Sequence, residues 1–333
     1  MPTPLALFVD DPCPLVHVYR FHKEHVHGEP PTTRDGRPLL DEIPNDFLDA
    51  FCDVVERFGM RGKFSIVPAP AWRGNLQTGI NGDLSATRWW VDQAKRRLGG
   101  TFDFCPEGIT HDLTLDLGSG KLLPVGESVW SQSQDRGSLT PYLAWQLGAL
   151  KEAGIDATGV TSPWVFGQSV EREYIAAMVQ AQRQVYGRGS SWYFLHMLQG
   201  KPASRPWIAY QDAEGSLISI PTVTDDVFWK TIDSPLQAVR YVGEIADELL
   251  SADGRTGQLR RVLDAGGWPV ILTHWQSLFS NGLRTGLAAL EEVGRRVRAH
   301  LSTECSWMNA TQIAELARKA GMSRPSYLPP IDL

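Results

Sequence analysis

Short apolar runs alternate with amphipathic segments along most of the chain. The first run, residues 5–9, has five consecutive apolar residues and ends at Asp10 and Asp11. An apolar run without alternation is typical of a strand buried on both faces. Similar runs that end in polar, Gly or Pro residues recur further on. They predict strands at 5–9, 62–68, 101–105, 157–161, 192–195, 217–221 and 268–273, with a last short strand near 306–308.

Helical periodicity is clearest over residues 44–58, where Phe47, Leu48, Phe51 and Val55 fall on one face. This spacing is typical of an amphipathic helix packed against a core. Comparable patterns, several of them closed by a glycine, predict the other helices. Their predicted ranges are 86–97, 142–153, 169–186, 235–251, 256–265, 283–300 and 311–320.

Strands that alternate with helices of this length predict an α/β fold with a mostly parallel sheet. Seven or eight such units favour a closed or partly closed (β/α) barrel over an open sheet. No linker or repeat interrupts the chain, so we expect a single barrel domain over residues 1–333. A long His-rich loop at about 17–43 follows the first strand. In such a fold the active site lies at the carboxyl ends of the strands.

The net charge, the lengths of the apolar runs and the cysteine spacing exclude several classes of protein. The 333 residues carry a net charge of −6, which gives no general attraction to nucleic acid or an anionic membrane. No apolar run approaches the roughly 20 residues that span a bilayer, and the first residues do not resemble a leader peptide. We therefore expect a cytoplasmic protein. Its four cysteines lack a C-x-x-C pair and are expected to be free thiols.

Asp10 and Asp11 are adjacent carboxylates at the end of the first predicted strand. Two such groups repel each other unless a cation or a proton lies between them. Ligation of a divalent metal by one carboxylate, with the other left as a base, is one solution. A cap or turn written Asp-Asp-Pro is the alternative.

Glu107 and His111 follow the third predicted strand and are four residues apart. One helical turn would place both side chains on the same side. A carboxylate and an imidazole are suitable ligands for zinc or a similar metal, and Gly108 would let the chain turn sharply away from the strand. A surface ion pair is the alternative.

His274 ends the predicted strand 268–273, at the same end of the fold as the other polar residues. A histidine there could protonate a leaving group or stabilise a developing oxyanion. The alternative is a core histidine that bonds to a backbone carbonyl.

Aromatic and imidazole side chains complete the candidate site. The 12 tryptophans exceed the usual frequency, and several lie at predicted strand ends, where they could stack on a sugar or form the wall of a pocket. Core packing is the alternative for each of them. Histidines of the 17–43 loop could cover the site, unless that loop is simply exposed. The candidate substrate-binding residues are Trp164, Trp229, Trp275, His22 and His25.

These motifs, in this order, resemble the polysaccharide deacetylase superfamily, of the carbohydrate esterase family four type. Weaker matches are the segments 161–164 and 225–229 and the ending 307–315. The resemblance implies a distorted (β/α) barrel. It also implies that Asp10 is the catalytic base, Asp11 a metal ligand, His111 the second metal histidine and His274 the general acid.

Two positions depart from the pattern of that superfamily. Glu107 replaces the first histidine of its His-x-x-x-His motif, and Thr161 replaces the arginine of its third motif. A site with two carboxylates and one imidazole favours harder metals and makes bound water less acidic. Without the arginine, the base carboxylate lacks the group expected to hold it in place.

The sequence therefore predicts a metal-dependent hydrolase of the deacetylase type. It would act on an amide or ester bond of a saccharide or a small N-acylated compound, with Asp11, Glu107 and His111 holding the metal. Zinc is the first expectation for this metal, with manganese, cobalt and nickel as alternatives. Two other functions stay open: a barrel that binds a carbohydrate or metabolite without hydrolysis, and a metal-free amidohydrolase or lyase. We expect a small-molecule or saccharide partner and no nucleic acid or membrane, and self-association stays open.

Overall fold

The two adjacent aspartates lie at the carboxyl end of the first strand, in which seven of eight residues are buried. The computed structural model describes residues 2–331 of the chain. In chain order, its strands are β1 (Thr3–Asp10), β2 (Gly62–Ile66), β3 (Phe102–Pro106), β4 (Leu113–Asp116), β5 (Lys121–Gly126), β6 (Gly159–Thr161), β7 (Ser191–Phe194), β8 (Trp207–Gln211), β9 (Ser216–Ser219), β10 (Val270–His274) and β11 (Cys305–Trp307).

The helices connect these strands and cover them. They are α1 (Val18–His25), α2 (Asp46–Phe58), α3 (Leu84–Leu98), α4 (Glu127–Ser131), α5 (Arg136–Glu152), α6 (Glu171–Tyr186), α7 (Val239–Leu249), α8 (Gln258–Asp264), α9 (Trp275–Phe279), α10 (Thr285–His300) and α11 (Ala310–Lys319). Short 3-10 turns lie at Pro70–Trp72, Gln168–Val170, Val227–Thr231 and Ser280–Gly282.

Parallel strands form the centre of the fold. One sheet has the order β10-β1-β2-β3, with β11 added beside β1, and the other has the order β6-β7-β9-β8. Isolated parallel bridges, Phe104 to Ala157 and Glu107 to Thr161, connect β3 to β6. In the described part of the chain, only β8 against β9 and β4 against β5 pair as antiparallel strands. The α/β class with a parallel sheet is therefore confirmed.

The two sheets approach each other again beside β10 through side chains. The hydroxyls of Thr222 and Thr224 donate to the carbonyl of Val270, at 2.9 and 2.7 Å. The amide of Leu272 donates to Thr224 Oγ1 at 3.2 Å. The strands therefore form two sheets with side-chain and single-bridge contacts between them, in place of the one continuous ladder of a regular barrel.

Strand β1 is buried on both faces, as its uniform apolar sequence predicts. Leu5, Leu7 and Val9 pack into the main core, while Ala6 and Phe8 pack into a second cluster on the opposite face. Alternate side chains of a strand point to opposite faces, so both sides must be apolar. Asp10 and Asp11 follow at the point where this double packing ends.

All eight predicted strands are present, with ends that differ by one to a few residues. Strand β8 and the β4–β5 hairpin lie outside the predicted strands, and they are short strands with partly exposed side chains. Their weak apolar signal hid them, although the Gly118-Ser119-Gly120 segment between β4 and β5 has a typical turn composition.

The predicted loop at 17–43 is partly wrong, because it contains helix α1. Val18, Phe21 and His22 are buried on one side of this helix, and Arg20 pairs with Glu24 one turn later. Spacings of three and four residues are those of an amphipathic helix. Its polar and imidazole side chains lowered the apolar signal on which the prediction relied.

The cysteines and the helices agree with two expectations from the sequence. The four cysteines are free and buried, as expected for a chain with no C-x-x-C pair. Within residues 2–331, no helix combines the length and the apolar character that a bilayer span requires.

Candidate active site

The predicted site residues converge at the carboxyl ends of the parallel strands. Asp10 ends β1 and His274 ends β10, and the two are directly paired in the register of these neighbouring strands. Glu107 lies just after β3 and bridges to Thr161 at the end of β6. Four strands thus bring their terminal polar residues to one mouth of the fold.

Asp11, Glu107 and His111 form a buried cluster with a ligand atom from each residue. These three atoms all lie within 4.8 Å of one another. Asp11 Oδ1 is 2.8 Å from His111 Nε2, which is 3.8 Å from Glu107 Oε1. A buried set of two carboxylates and one imidazole is compatible with a divalent metal site.

Hydrogen bonds from neighbouring groups orient the two carboxylates of this cluster. The backbone N–H of Asp11 donates to Glu107 Oε2 at 2.9 Å, and Gln276 Nε2 donates to Asp11 Oδ2 at 2.5 Å. Asp11 Oδ1 is buried and makes no hydrogen bond of adequate geometry within residues 2–331. A buried oxygen without a donor is costly, and a cation between it and His111 Nε2 would satisfy it. The residues present therefore fit a metal.

Burial and mutual charge shift the pKa values in this cluster. Burial together with the neighbouring Asp10 and Asp11 charges raises the pKa of Glu107 well above its usual value. Burial also acts to raise the pKa of Asp11, but the charge of the nearby His111 outweighs it and lowers that pKa. For His111, burial favours the neutral ring, while Asp11 outweighs this and raises the pKa. Such opposed shifts are typical of functional sites.

Three site residues have left-handed backbone conformations. The φ angles are 67° at Asp11, 53° at His111 and 55° at Trp164. A non-glycine residue in this region costs on the order of 1–3 kcal/mol, so the surrounding structure must impose it. Strain of this kind is common where side chains are aimed at a shared ligand.

Glu127 imposes the conformation of the loop that carries His111. Its carboxylate accepts the backbone N–H groups of Ile109, Thr110 and His111 at 2.8, 3.1 and 2.8 Å. It also accepts the Tyr142 hydroxyl at 2.5 Å. Four donors on one buried carboxylate fix the loop between β3 and β4.

The predicted helical turn between Glu107 and His111 is wrong. The segment is a bend in which Gly108 has a φ of 69°, as expected for a sharp exit from the strand. A Cβ at this glycine would lie 2.4 Å from Glu127 Oε2. The side chains of Glu107 and His111 still lie close together beside Asp11. The left-handed conformations at Gly108 and His111 reverse the direction of the loop and so allow this approach.

Asp226 orients His274 at the opposite side of the mouth. His274 Nδ1 is 2.8 Å from Asp226 Oδ2, which also accepts the Ser277 hydroxyl at 2.8 Å. Burial favours neutral imidazole, but the hydrogen bond and charge of Asp226, assisted by Asp11, raise the pKa of His274 to about 9. A pKa raised in this way favours the protonated ring, and the second nitrogen of His274 is available toward the cavity.

Lys63 of β2 forms a buried ion pair with Asp10. The ammonium donates to Asp10 Oδ1 and to Ser65 Oγ, and Ser65 Oγ lies 3.3 Å from Asp10 Oδ1. Thr161 reaches the same group of polar atoms, with its Oγ1 2.9 Å from Ser65 Oγ. Asp10 therefore has a cationic partner even though position 161 is not arginine.

A cavity of about 520 Å³ opens above these groups. His22 of α1 stacks on Trp164, with the ring centroids 5.1 Å apart and the planes 20° apart. Trp229 contacts His274 edge to face at 5.1 Å, and Tyr19 contacts Trp229 at 4.8 Å. The cavity lining includes the five predicted chemical residues together with His22, Trp164 and Trp229.

Two predicted substrate-binding residues lie outside this cavity. Trp275 is 1% exposed and packs on Phe47 and Phe51, because the helix that follows β10 turns its first side chain into the core. His25 is absent from the cavity lining, and its Nδ1 is 2.5 Å from Asp112 Oδ2. The structure therefore places neither side chain in the cavity lining.

Several residues that support the site are not among the predicted site residues. Lys63, Gln276 and Glu127 contact site residues that are far away in the sequence, and no local motif marks them. Asp226 was noted only as part of a weak segment match. A signal for Lys63 was present, because a lysine inside an apolar strand needs a buried partner.

Comparison with known proteins gives a fold relationship. No protein-family profile matches the chain, and no curated protein sequence matches it. Among solved structures, the chain is similar to a protein from Mycobacterium smegmatis that is provisionally described as a polysaccharide deacetylase. The identity is 16%, the alignment covers 86% of this chain and 81% of that chain, and the TM-score is 0.52. At this identity the likeness shows a shared fold and nothing further.

A second solved structure aligns less well. It is a 4-alpha-glucanotransferase from Thermococcus litoralis, with 14% identity and a TM-score of 0.46. The alignment covers 95% of this chain but only 40% of that chain.

Proposed function

We propose that this chain is a metal-dependent hydrolase of the deacetylase type. It acts on an amide or ester bond of a small N-acylated compound or a saccharide. The observation that supports this most directly is the buried convergence of Asp11, Glu107 and His111 within 4.8 Å, beside Asp10 and His274 in one cavity. The similarity to the Mycobacterium smegmatis structure adds a scaffold of the matching kind.

Asp11, Glu107 and His111 would hold the metal, and zinc is our first expectation for its identity. When bound, a divalent cation would polarise the substrate carbonyl and lower the pKa of a water molecule. Gln276 keeps Asp11 oriented, and the loop contacts of Glu127 keep His111 oriented. Ligands fixed in this way lose little freedom on binding a cation.

Asp10 acts as the general base. It takes a proton from the water whose oxygen attacks the acyl carbon. The direct register pairing of Asp10 with His274 supports this role, because it brings the proposed base and the proposed acid to adjacent strands. Both line the cavity, so one substrate can contact both.

His274 acts as the general acid. As the C–N or C–O bond breaks, it donates its proton to the leaving nitrogen or oxygen. Asp226 prepares it for this role by keeping the ring protonated and by fixing its orientation. The products are a carboxylic acid, which releases its proton to solvent, and an amine or alcohol. The proton held by Asp10 then leaves to solvent and His274 takes one up again, so atoms and protons balance.

The aromatic side chains determine which substrates fit. Trp164 and Trp229 offer flat apolar surfaces on the cavity wall, and His22 extends that of Trp164. Sugar faces and small rings stack on such surfaces. A cavity of about 520 Å³ is of the size that accommodates a small ligand or one end of a longer one.

Metal content and hydrolysis test this function together. Protein stripped with a chelator is dialysed against Zn²⁺, Mn²⁺ or Co²⁺, and its metal content is measured. Acetate release from N-acetylglucosamine and hydrolysis of 4-nitrophenyl acetate are then followed. We expect about one metal per chain and metal-dependent turnover, both lost in Asp11→Asn and His111→Ala.

Matched controls are Asp53→Asn and His300→Ala, which change the same residue types away from the site. They should bind metal and turn over substrate as the wild type does. A wild-type chain that takes up no metal would rule out this mechanism. It would favour the metal-free alternative, in which Asp11 and His111 form a buried ion pair.

A further inference from the structure

Lys63 is a lysine with no solvent exposure in the interior of the parallel sheet. Its ammonium donates to Asp10 Oδ1 and to Ser65 Oγ, the latter at 2.5 Å. Lysine is almost never fully buried without a partner, because desolvation of the charge is costly. The pairing with Asp10 is therefore a specific feature of this site.

Lys63 does not contact the cavity. It is absent from the cavity lining, and its Nζ lies 5.0 Å from the ring centre of Phe8 and 4.8 Å from that of Phe194. Both rings therefore lie within contact distance of the ammonium. Any effect of Lys63 on a substrate must therefore pass through Asp10.

The charges around Asp10 explain why a cation is needed there. Asp10, Asp11 and Glu107 place three carboxylates at one mouth of the fold, and they repel one another. Within residues 2–331, Lys63 is the lysine or arginine that forms an ion pair with one of them. The ion pair with Lys63 holds the Asp10 carboxylate close to β2, whereas the Asp11 carboxylate lies close to the His111 ring.

Position 161 shows how the site can lack the arginine that the sequence resemblance leads us to expect. Thr161 is fully buried, and its hydroxyl is 2.9 Å from Ser65 Oγ. Ser65 in turn contacts both Lys63 and Asp10. The Thr161 side chain thus contacts the polar cluster around Asp10. The cation of that cluster is Lys63, which belongs to β2.

We propose that Lys63 is the positioning residue for Asp10, supplying from β2 the buried cation that fixes the base carboxylate. This inference rests on the proposed function, because Asp10 removes a proton only in that reaction. Lys63 itself transfers no proton and contacts no substrate.

The first test compares Lys63→Met with the wild type in Co²⁺-loaded protein, with 4-nitrophenyl acetate as the probe. We expect kcat to fall about 100-fold, as for the loss of an oriented general base, while KM changes less than about twofold. The control is Lys230→Met, which removes an exposed lysine paired with Glu248 and should leave both constants unchanged. The visible spectrum of bound Co²⁺ should be the same in all three proteins, because the proposed ligands are intact.

The second test is a double-mutant cycle between Lys63 and Asp10. If Lys63 acts through Asp10, then Lys63→Met should cause no further loss of kcat in an Asp10→Asn background. Stability to urea gives a second readout. Each single variant leaves one buried charge without its partner, whereas the double variant has neither of the two charges. Its unfolding midpoint should therefore lie above the value that adding the two single changes gives.

The outcomes separate this inference from the proposed function. If wild-type protein binds no Co²⁺, the proposed function fails, and the urea cycle still tests the pair. If the wild type binds Co²⁺ and turns over while Lys63→Met retains kcat within twofold, the proposed function stands and the role of Lys63 is wrong. Additive effects in the cycle, on kcat or on the urea midpoint, would also overturn it.

Discussion

The imidazole of His274 is bonded to the carboxylate of Asp226, with 2.8 Å between Nδ1 and Oδ2. Asp226 is itself held by the Ser277 hydroxyl and by the backbone N–H of Phe228. These two hydrogen bonds hold the Asp226 carboxylate in place independently of the His274 ring. This arrangement leaves Nε2 of His274 as the nitrogen that can exchange a proton with a ligand in the cavity.

Replacement of Asp226 by asparagine should lower the pKa of His274. In the metal-free wild type we expect a pKa of about 9, and in Asp226→Asn a value closer to the ordinary 6.5. Because the folded-state pKa is raised, the ion pair stabilises the fold fully below pH 6.5 and is lost as the pH rises through about 9. NMR titration of the ring protons measures the pKa directly.

His22 provides an internal control in the same spectra. Burial and the neighbouring His111 and His27 lower its pKa to about 3, and Asp226 is not among the causes of that shift. Its titration should be unchanged in Asp226→Asn. If His274 titrates near 6.5 in the wild type, the assignment of a protonated acid at neutral pH is incorrect.

Conversion of Glu107 to histidine should change metal preference. The site would then have one carboxylate and two imidazoles, and it would lose one negative charge. Softer nitrogen ligands favour zinc over manganese, so we expect the ratio of the two affinities to rise by about tenfold. Competition titrations with a metal indicator measure both constants.

Glu107→Gln is the companion variant in this experiment. It keeps the shape of the side chain and removes its charge, so it should weaken both metals with little change in their ratio. Equal affinities in wild type, Glu107→His and Glu107→Gln would show that Glu107 is not a ligand.

The strands and most helices could be predicted because their signal is local. The uniform apolar run that becomes β1 and the one-sided periodicity of α2 are readable within 15 residues. The convergence of Asp11, Glu107 and His111 could also be predicted, since parallel strands bring their carboxyl ends to one edge. The weakly patterned helix α1 could not be predicted in this way.

Contacts that depend on the tertiary fold escaped prediction for a physical reason. Gln276 bonds to Asp11 across 265 residues of sequence, and Lys63 bonds to Asp10 across 53. Nothing in either local segment specifies its partner. The direction of the Trp275 side chain was equally hidden, because one residue of rotation at the start of a helix decides between cavity and core.

Removal of the Glu127 carboxylate should destabilise the fold and loosen the metal site together. Glu127→Ala leaves the buried N–H groups of Ile109, Thr110 and His111 without their acceptor. We expect a loss of about 3–5 kcal/mol in the free energy of unfolding, together with weaker Co²⁺ binding. Urea denaturation and Co²⁺ titration measure the two effects.

The matched control is Glu291→Ala, which removes an exposed carboxylate paired with Arg57. Its effect on stability should stay within about 0.5 kcal/mol, with unchanged Co²⁺ binding. A Glu127→Ala protein that binds Co²⁺ as tightly as the wild type would show that the loop holds His111 without this carboxylate.

Trp164 and Trp275 should respond in opposite ways to truncation. Trp275→Ala removes a buried ring from contact with Phe47 and Phe51, and should cost about 3–5 kcal/mol of stability. Trp164 is 45% exposed at the cavity rim, so Trp164→Ala should change stability by less than about 1 kcal/mol. Loss of its stacking surface, worth about 0.5–1.5 kcal/mol, should instead raise KM by up to about tenfold.

Urea denaturation and steady-state kinetics of the two variants separate these roles. Below the unfolding transition, Trp275→Ala should keep the KM of the wild type, because its side chain does not reach the cavity. Trp164→Ala should keep the urea midpoint. A raised KM in Trp275→Ala with unchanged stability would restore this tryptophan to the substrate-binding set, and it would mean that α9 turns toward the cavity when substrate is bound.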